Sequence, residues 1–133
     1  MTPPRRTARA AARPEASPET QLEEALWEAL LEKRAEDPVW LDVREVTDLA
    51  DAFLIATMNN PRQGAAIVDA CEQARKALGH KRLGIEGMEG GASSWVVLDY
   101  GDVIVHLLMP EQRGYYALEH LWADARVVRR GES

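Results

Sequence analysis

The chain has 133 residues, 46% of them hydrophobic, with a net charge of −6 and a single cysteine. That supports one compact domain with a genuine core and leaves no room for two ordinary ones. Cys71 alone excludes an internal disulfide or a cysteine-clustered zinc site, and no apolar run approaches the ~20 residues that span a bilayer.

One thiol also fits a reducing compartment, and the first residues lack the apolar stretch of a secretory signal, so a cytoplasmic location is expected. Residues 1–16 are rich in Pro, Ala and Arg, show no apolar periodicity and read as a disordered tail. An organellar presequence is the alternative, opposed by three prolines and the missing apolar face. Of the 16 Lys and Arg, four (Arg5, Arg6, Arg9 and Arg13) fall in residues 1–14 without an acid, leaving 12 against 22 carboxylates, or −10. A body that acidic repels phosphate backbones, because nucleic-acid binding depends on cations displacing counterions.

Ser17-Pro18 and Thr20-x-x-Glu23 are overlapping helix-start signals. The helix should run to about Ala35, with Leu22, Leu26, Ala29 and Leu30 on one stripe, until Asp37-Pro38 stops it. Residues 39–43 read as a short strand and 44–50 as a loop. Residues 52–57, continuously apolar up to Thr57, read as a central strand buried on both faces. Asn60-Pro61 opens a second helix, cap then first-turn proline, with Ile67, Ala70, Cys71, Ala74 and Leu78 facing inward and Gly79 ending it.

Residues 83–86 form a third strand and 87–94 a glycine-rich loop. Residues 95–99 and 102–109 then form a hairpin around Gly101, free to take the left-handed conformation of a short turn. The last helix should span residues 111–122, burying Tyr115, Leu118 and Trp122, with 125–133 a frayed tail. The sum is a single α/β domain over residues 17–124, a five-stranded mixed sheet in the order α-β-β-α-β-β-β-α with helices packed on it.

Catalytic signals are weak. His80, His106 and His120 have no ligand spacing with one another or with Cys71. His106, on a strand face between Ile104 and Leu108, reads as a structural histidine bonded to a neighbouring carboxylate. No nucleophile elbow or phosphate loop is present, and Gly84, Gly87, Gly90 and Gly91 lead to a strand and not a helix. Neither a metal nor a cofactor is expected. The remaining signal is a surface. Period-2 alternation puts Trp95, Val97 and Asp99 on one face, and Val96 and Leu98 on the core side. Tyr100 is expected exposed at the turn tip, and Tyr116 cannot share the inward stripe of Tyr115. Exposed Trp and Tyr beside carboxylates have the composition of a protein-binding hot spot; the alternative is that Trp95 and Tyr116 simply cover the sheet under the glycine loop.

The run Trp95-Val96-Val97-Leu98-Asp99-Tyr100-Gly101-Asp102-Val103-Ile104-Val105-His106, followed by Tyr116-Ala117-Leu118-Glu119-His120-Leu121-Trp122, resembles the Iojap or ribosomal silencing factor (RsfS) family. The likeness covers about residues 20–124. It takes in Leu41-Asp42-Val43, the stretch 46–57, Arg62-Gln63 and Gly84-Ile85-Glu86-Gly87. It implies a non-enzymatic repressor that binds large-subunit ribosomal protein uL14, blocks joining of the small subunit and lowers translation when nutrients are short. It further implies a homodimer in isolation, and partner contacts at Trp95 (aromatic anchor), Asp99 (carboxylate towards basic groups), Tyr100, Tyr116, Arg62 and Glu86. If the protein works on a ribosome, its acidic body should touch a basic protein there and not bare RNA.

The family's architecture resembles that of nucleotidyltransferases, whose metal-holding Asp-x-Asp and Gly-Ser pairs are missing here; Asp42, Asp48 and Asp51 do not share a strand face. A nucleotide-handling enzyme and a large-subunit assembly factor remain the alternatives. Three positions depart from the family pattern. Met58 replaces a turn glycine, so that turn should avoid a positive φ, and Asn60 replaces a serine cap. Ala52 replaces a large residue, and Tyr100 occupies a variable turn position.

Overall fold

The computed structural model describes residues 18–87, 94–116 and 124–131, with the backbone alone at 18–20 and 114–116. Helix α1 spans Pro18–Glu32 and buries Leu22, Leu26, Ala29 and Leu30, as the stripe requires. It stops short of Ala35. Left-handed residues at Arg34 (φ 60°) and Asp37 (φ 49°) turn the chain, and the Ala35 amide donates to the Leu30 carbonyl at 3.0 Å. Strand β1, Glu36–Asp42, therefore begins before the expected residue 39. Pro38 is tolerated within it because the register with the next strand slips between Glu36 and Val39.

Strand β2, Ala52–Thr57, is buried at every position. Helix α2, Pro61–Ala77, starts as its sequence dictates, the Asn60 side chain accepting from the Gln63 amide at 2.8 Å with proline in the first turn. Met58, just before it, avoids a positive φ and is fully buried against Gly64 of that helix. Strands β3 (Gly84–Glu86), β4 (Trp95–Asp99) and β5 (Val103–Leu108) follow, then helix α3 (Pro110–Tyr116) and strand β6 (Arg126–Arg130). The expected helix beyond Tyr116, with Leu118 and Trp122, and the residues 1–17 and 88–93 lie outside the described residues.

Among the described residues the sheet has six strands, in the order β3-β4-β5-β2-β1-β6, where five were expected. Residues 126–130, expected as a frayed tail, pair antiparallel with β1. Their Arg-Val-Val-Arg-Arg sequence has no apolar alternation to announce a strand; backbone pairing and side-chain ties hold it. Arg129 reaches Glu24 of α1 at 2.7 Å and lies 5.1 Å from the Trp40 ring centroid, and Arg126 reaches Asp42 at 3.2 Å. Among the described residues β2 and β5 alone run parallel, and the other pairs are antiparallel.

The sheet separates two apolar layers. One, under α1 and α2, joins Leu22, Leu26, Trp27 and Leu30 to Trp40, Leu54, Ile67, Cys71, Leu98, Val105 and Leu107. The opposite layer holds Val39, Leu41, Val43, Phe53, Ile55 and Leu108, with Trp95 and Ile104 half-buried against it. Among the described residues no helix is long and apolar enough to cross a membrane.

Candidate partner-binding face

The hairpin turn sets the geometry of the site. Tyr100 N–H donates to the Val103 carbonyl at 2.9 Å, and Gly101 sits at φ 89°, the left-handed conformation its sequence position predicts. Counting back from that turn pairs Asp99 with Ile104, Val97 with His106 and Trp95 with Leu108. Paired residues share a face, so Trp95, Val97, Asp99, Ile104 and His106 lie together on the side away from α1 and α2. All five are half-buried, while Val96 and Leu98 are sealed in the core, as the alternation predicts. Glu86, exposed on β3, pairs with Val97 and extends the same row.

Trp95 is held in place from two sides. Its indole Nε1–H donates to His106 Nδ1 at 3.2 Å, and the two rings lie 6.1 Å apart at 57°. His106 in turn meets Phe53 edge to face, 5.2 Å between centroids. Burial pushes the His106 imidazole down to about 4, which keeps it neutral near pH 7 with Nδ1 as the acceptor. The partner of His106 is an indole, not the carboxylate expected from sequence. That pairing was legible in principle: the turn length fixes the register, and the register places Trp95 diagonal to His106. On the other flank Gly87, at φ 93°, lies so close to the Trp95 carbonyl that a Cβ there would collide with it.

The other expected contact residues separate. Asp99 shares the Trp95 face but stands four residues along the strand, roughly 13 Å away at ~3.3 Å per residue. One of its carboxylate oxygens accepts from the Gly101 amide at 2.8 Å, closing the turn. Tyr100 is a correction. It is only 5% exposed and points into the opposite layer, where its hydroxyl donates to Glu72 Oε2 of α2 at 2.8 Å. A turn residue can be buried after all when a helix crosses behind the turn. Arg62 is exposed in the first turn of α2, which leaves the sheet at the end where Thr57, Leu108 and Trp95 align. The Tyr116 side chain lies outside the described residues.

Polar clusters elsewhere are structural ties. Glu72 binds Arg75 at 2.7 Å and Arg82 at 3.2 Å as well as Tyr100. Burial raises its carboxyl, but those hydrogen bonds and cations bring it below the usual range. Asp42 behaves alike: burial is outweighed by Arg44 at 2.6 Å and by Arg126. Among the described residues no group of three or more His, Cys, Asp or Glu is placed to hold a metal ion.

Comparison with known proteins places this geometry. The family described as "Ribosomal silencing factor during starvation" (RsfS) matches residues 14–133. The chain is 37% identical over 97 residues to ribosomal silencing factor RsfS of Halalkalibacterium halodurans, covering 73% of this chain and 81% of that protein. It is 38% identical over 94 residues to that of Bacillus subtilis, covering 71% and 78%. A crystal structure of a Chromobacterium violaceum protein superposes with a TM-score of 0.71 at 34% identity, covering 77% of this chain and 83% of that one. The chain belongs to the RsfS family of ribosomal silencing factors.

Proposed function

We propose that this protein represses translation by steric exclusion, docking the Trp95 face on uL14 of the large ribosomal subunit and so blocking the small subunit. The observation that carries this reading is a half-exposed tryptophan, fixed in orientation, on a sheet face that also carries Glu86 and, further along the strand, Asp99. An aromatic anchor on a face that carries carboxylates suits a basic protein surface, and the acidic composition of residues 15–133 disfavours bare RNA. No cofactor is needed: an interface of about 1,200–2,000 Å² suffices to occupy a bridge. The nucleotidyltransferase-like sheet serves as a scaffold, the site of action is the cytoplasm, and the free protein pairs as a homodimer.

The test is sedimentation of purified subunits with added protein. Joined ribosomes should fall, and the protein should travel with the large subunit. Trp95→Ala should lose about 2 kcal/mol or more of affinity for uL14. Undiminished capture of uL14 by that variant would remove Trp95 from the site.

A further inference from the structure

We propose that His106 is a positioning residue for partner recognition, and that by accepting the indole N–H it makes Trp95 meet its partner as an apolar ring and not as a hydrogen-bond donor. The inference rests on the reading of the Trp95 face as the docking surface and adds to it the chemistry of the group that Trp95 receives.

Trp has a single N–H, and here it is directed across the sheet face at His106, 3.2 Å from Nδ1. Donors used inside the protein are not offered outside it. His106 is itself fixed, by its place in the central β5 strand between β4 and β2 and by the edge of Phe53 at 5.2 Å. The chain of contacts Phe53–His106–Trp95 crosses three adjacent strands, so the ring's orientation is set by the sheet and not by the partner. An anchor fixed beforehand loses less side-chain freedom on binding than one ordered by contact. The partner group that fits over such a ring is a hydrocarbon stem or a cation, since neither asks for an N–H. A carbonyl or carboxylate seeking a donor cannot use the indole N–H, which His106 already takes. Glu86 and Asp99, on the same face, select for the cationic case.

The experiment is a double-mutant cycle in affinity for purified large ribosomal subunits, with thermal unfolding of each variant as a fold control. His106→Leu removes the acceptor; His106→Asn keeps an acceptor where Nδ1 stands; Trp95→Phe keeps an apolar ring without the N–H. His106→Leu should weaken binding about tenfold, and His106→Asn should restore it to within about threefold of the parent. In the Trp95→Phe background, His106→Leu should cost little more, because the bond it serves is already gone. A merely structural histidine gives additive losses and no rescue by Asn, and either outcome overturns the proposal. If Trp95→Ala binds normally, the docking reading itself fails; if only Trp95→Ala loses affinity, that reading stands and the role of His106 falls.

Discussion

Tyr100 donates its phenolic hydrogen to Glu72 at 2.8 Å, tying the β4–β5 turn to the middle of α2 across the core layer. Because Glu72 also holds Arg75 and Arg82, one carboxylate joins the helix, the segment before β3 and the hairpin. Tyr100→Phe should therefore destabilise the protein by about 1–2 kcal/mol, the worth of a buried bond to a charged acceptor that keeps other partners. Affinity for the proposed partner, uL14, should not change, since the ring is inside. Chemical denaturation and a binding titration of the same variant check both halves.

His106 gives the protein an acid limit. Its folded pKa is pushed down to about 4 by burial, against 6.5 for the free side chain. Between those values the unfolded chain carries a proton the folded one lacks, so stability is full above pH 6.5 and falls as the pH drops towards 4. The loss is on the order of 3 kcal/mol. Glu72 and Asp42, both held below the usual carboxylate range by their arginines despite burial, act in the same direction at still lower pH. Urea midpoints at pH 7 and pH 4.5 should differ clearly in the parent and much less in His106→Asn. Equal slopes in the two proteins would contradict the assignment.

Met58 fills the space that Gly64 leaves open. A Cβ on Gly64 would run into the Met58 sulfur, and both residues are buried. Gly64→Ala should cost about 1–3 kcal/mol by overpacking. In a Met58→Ala background the same change should cost distinctly less, because the thioether is gone. Four denaturation curves complete the cycle, and simple additivity would show the two positions to be uncoupled.

Gly87 is confined twice over, by its φ of 93° and by the Trp95 carbonyl. Gly87→Ala should destabilise by on the order of 1–3 kcal/mol. It should also weaken large-subunit binding by shifting the start of β4, which carries the proposed anchor, Trp95. A variant with unchanged melting and unchanged binding would show that the loop yields freely.

Much of this was readable along the chain. Strands β2, β4 and β5 announced themselves by continuous or alternating apolar residues, helix α2 by Asn60-Pro61, and the exposed side of β4 by simple parity. Those signals are local: each depends on residues within a turn or two, whose backbone geometry fixes which side chains share a face. The long motif through His106 and the Tyr116–Trp122 stretch carried the family for the same reason, being a contiguous pattern.

What lay beyond reach depended on elements distant in sequence. The edge strand Arg126–Arg130 owes its existence to β1 and to Glu24 and Asp42, not to its own pattern. Tyr100 is buried because Glu72, 28 residues earlier, arrives behind the turn. The hairpin register places Trp95 on His106, but the seat of that histidine against Phe53 depends on the distant strand β2. Local order follows from the periodicity of the chain; burial and pairing follow from which element packs against which, and that only the folded sheet decides.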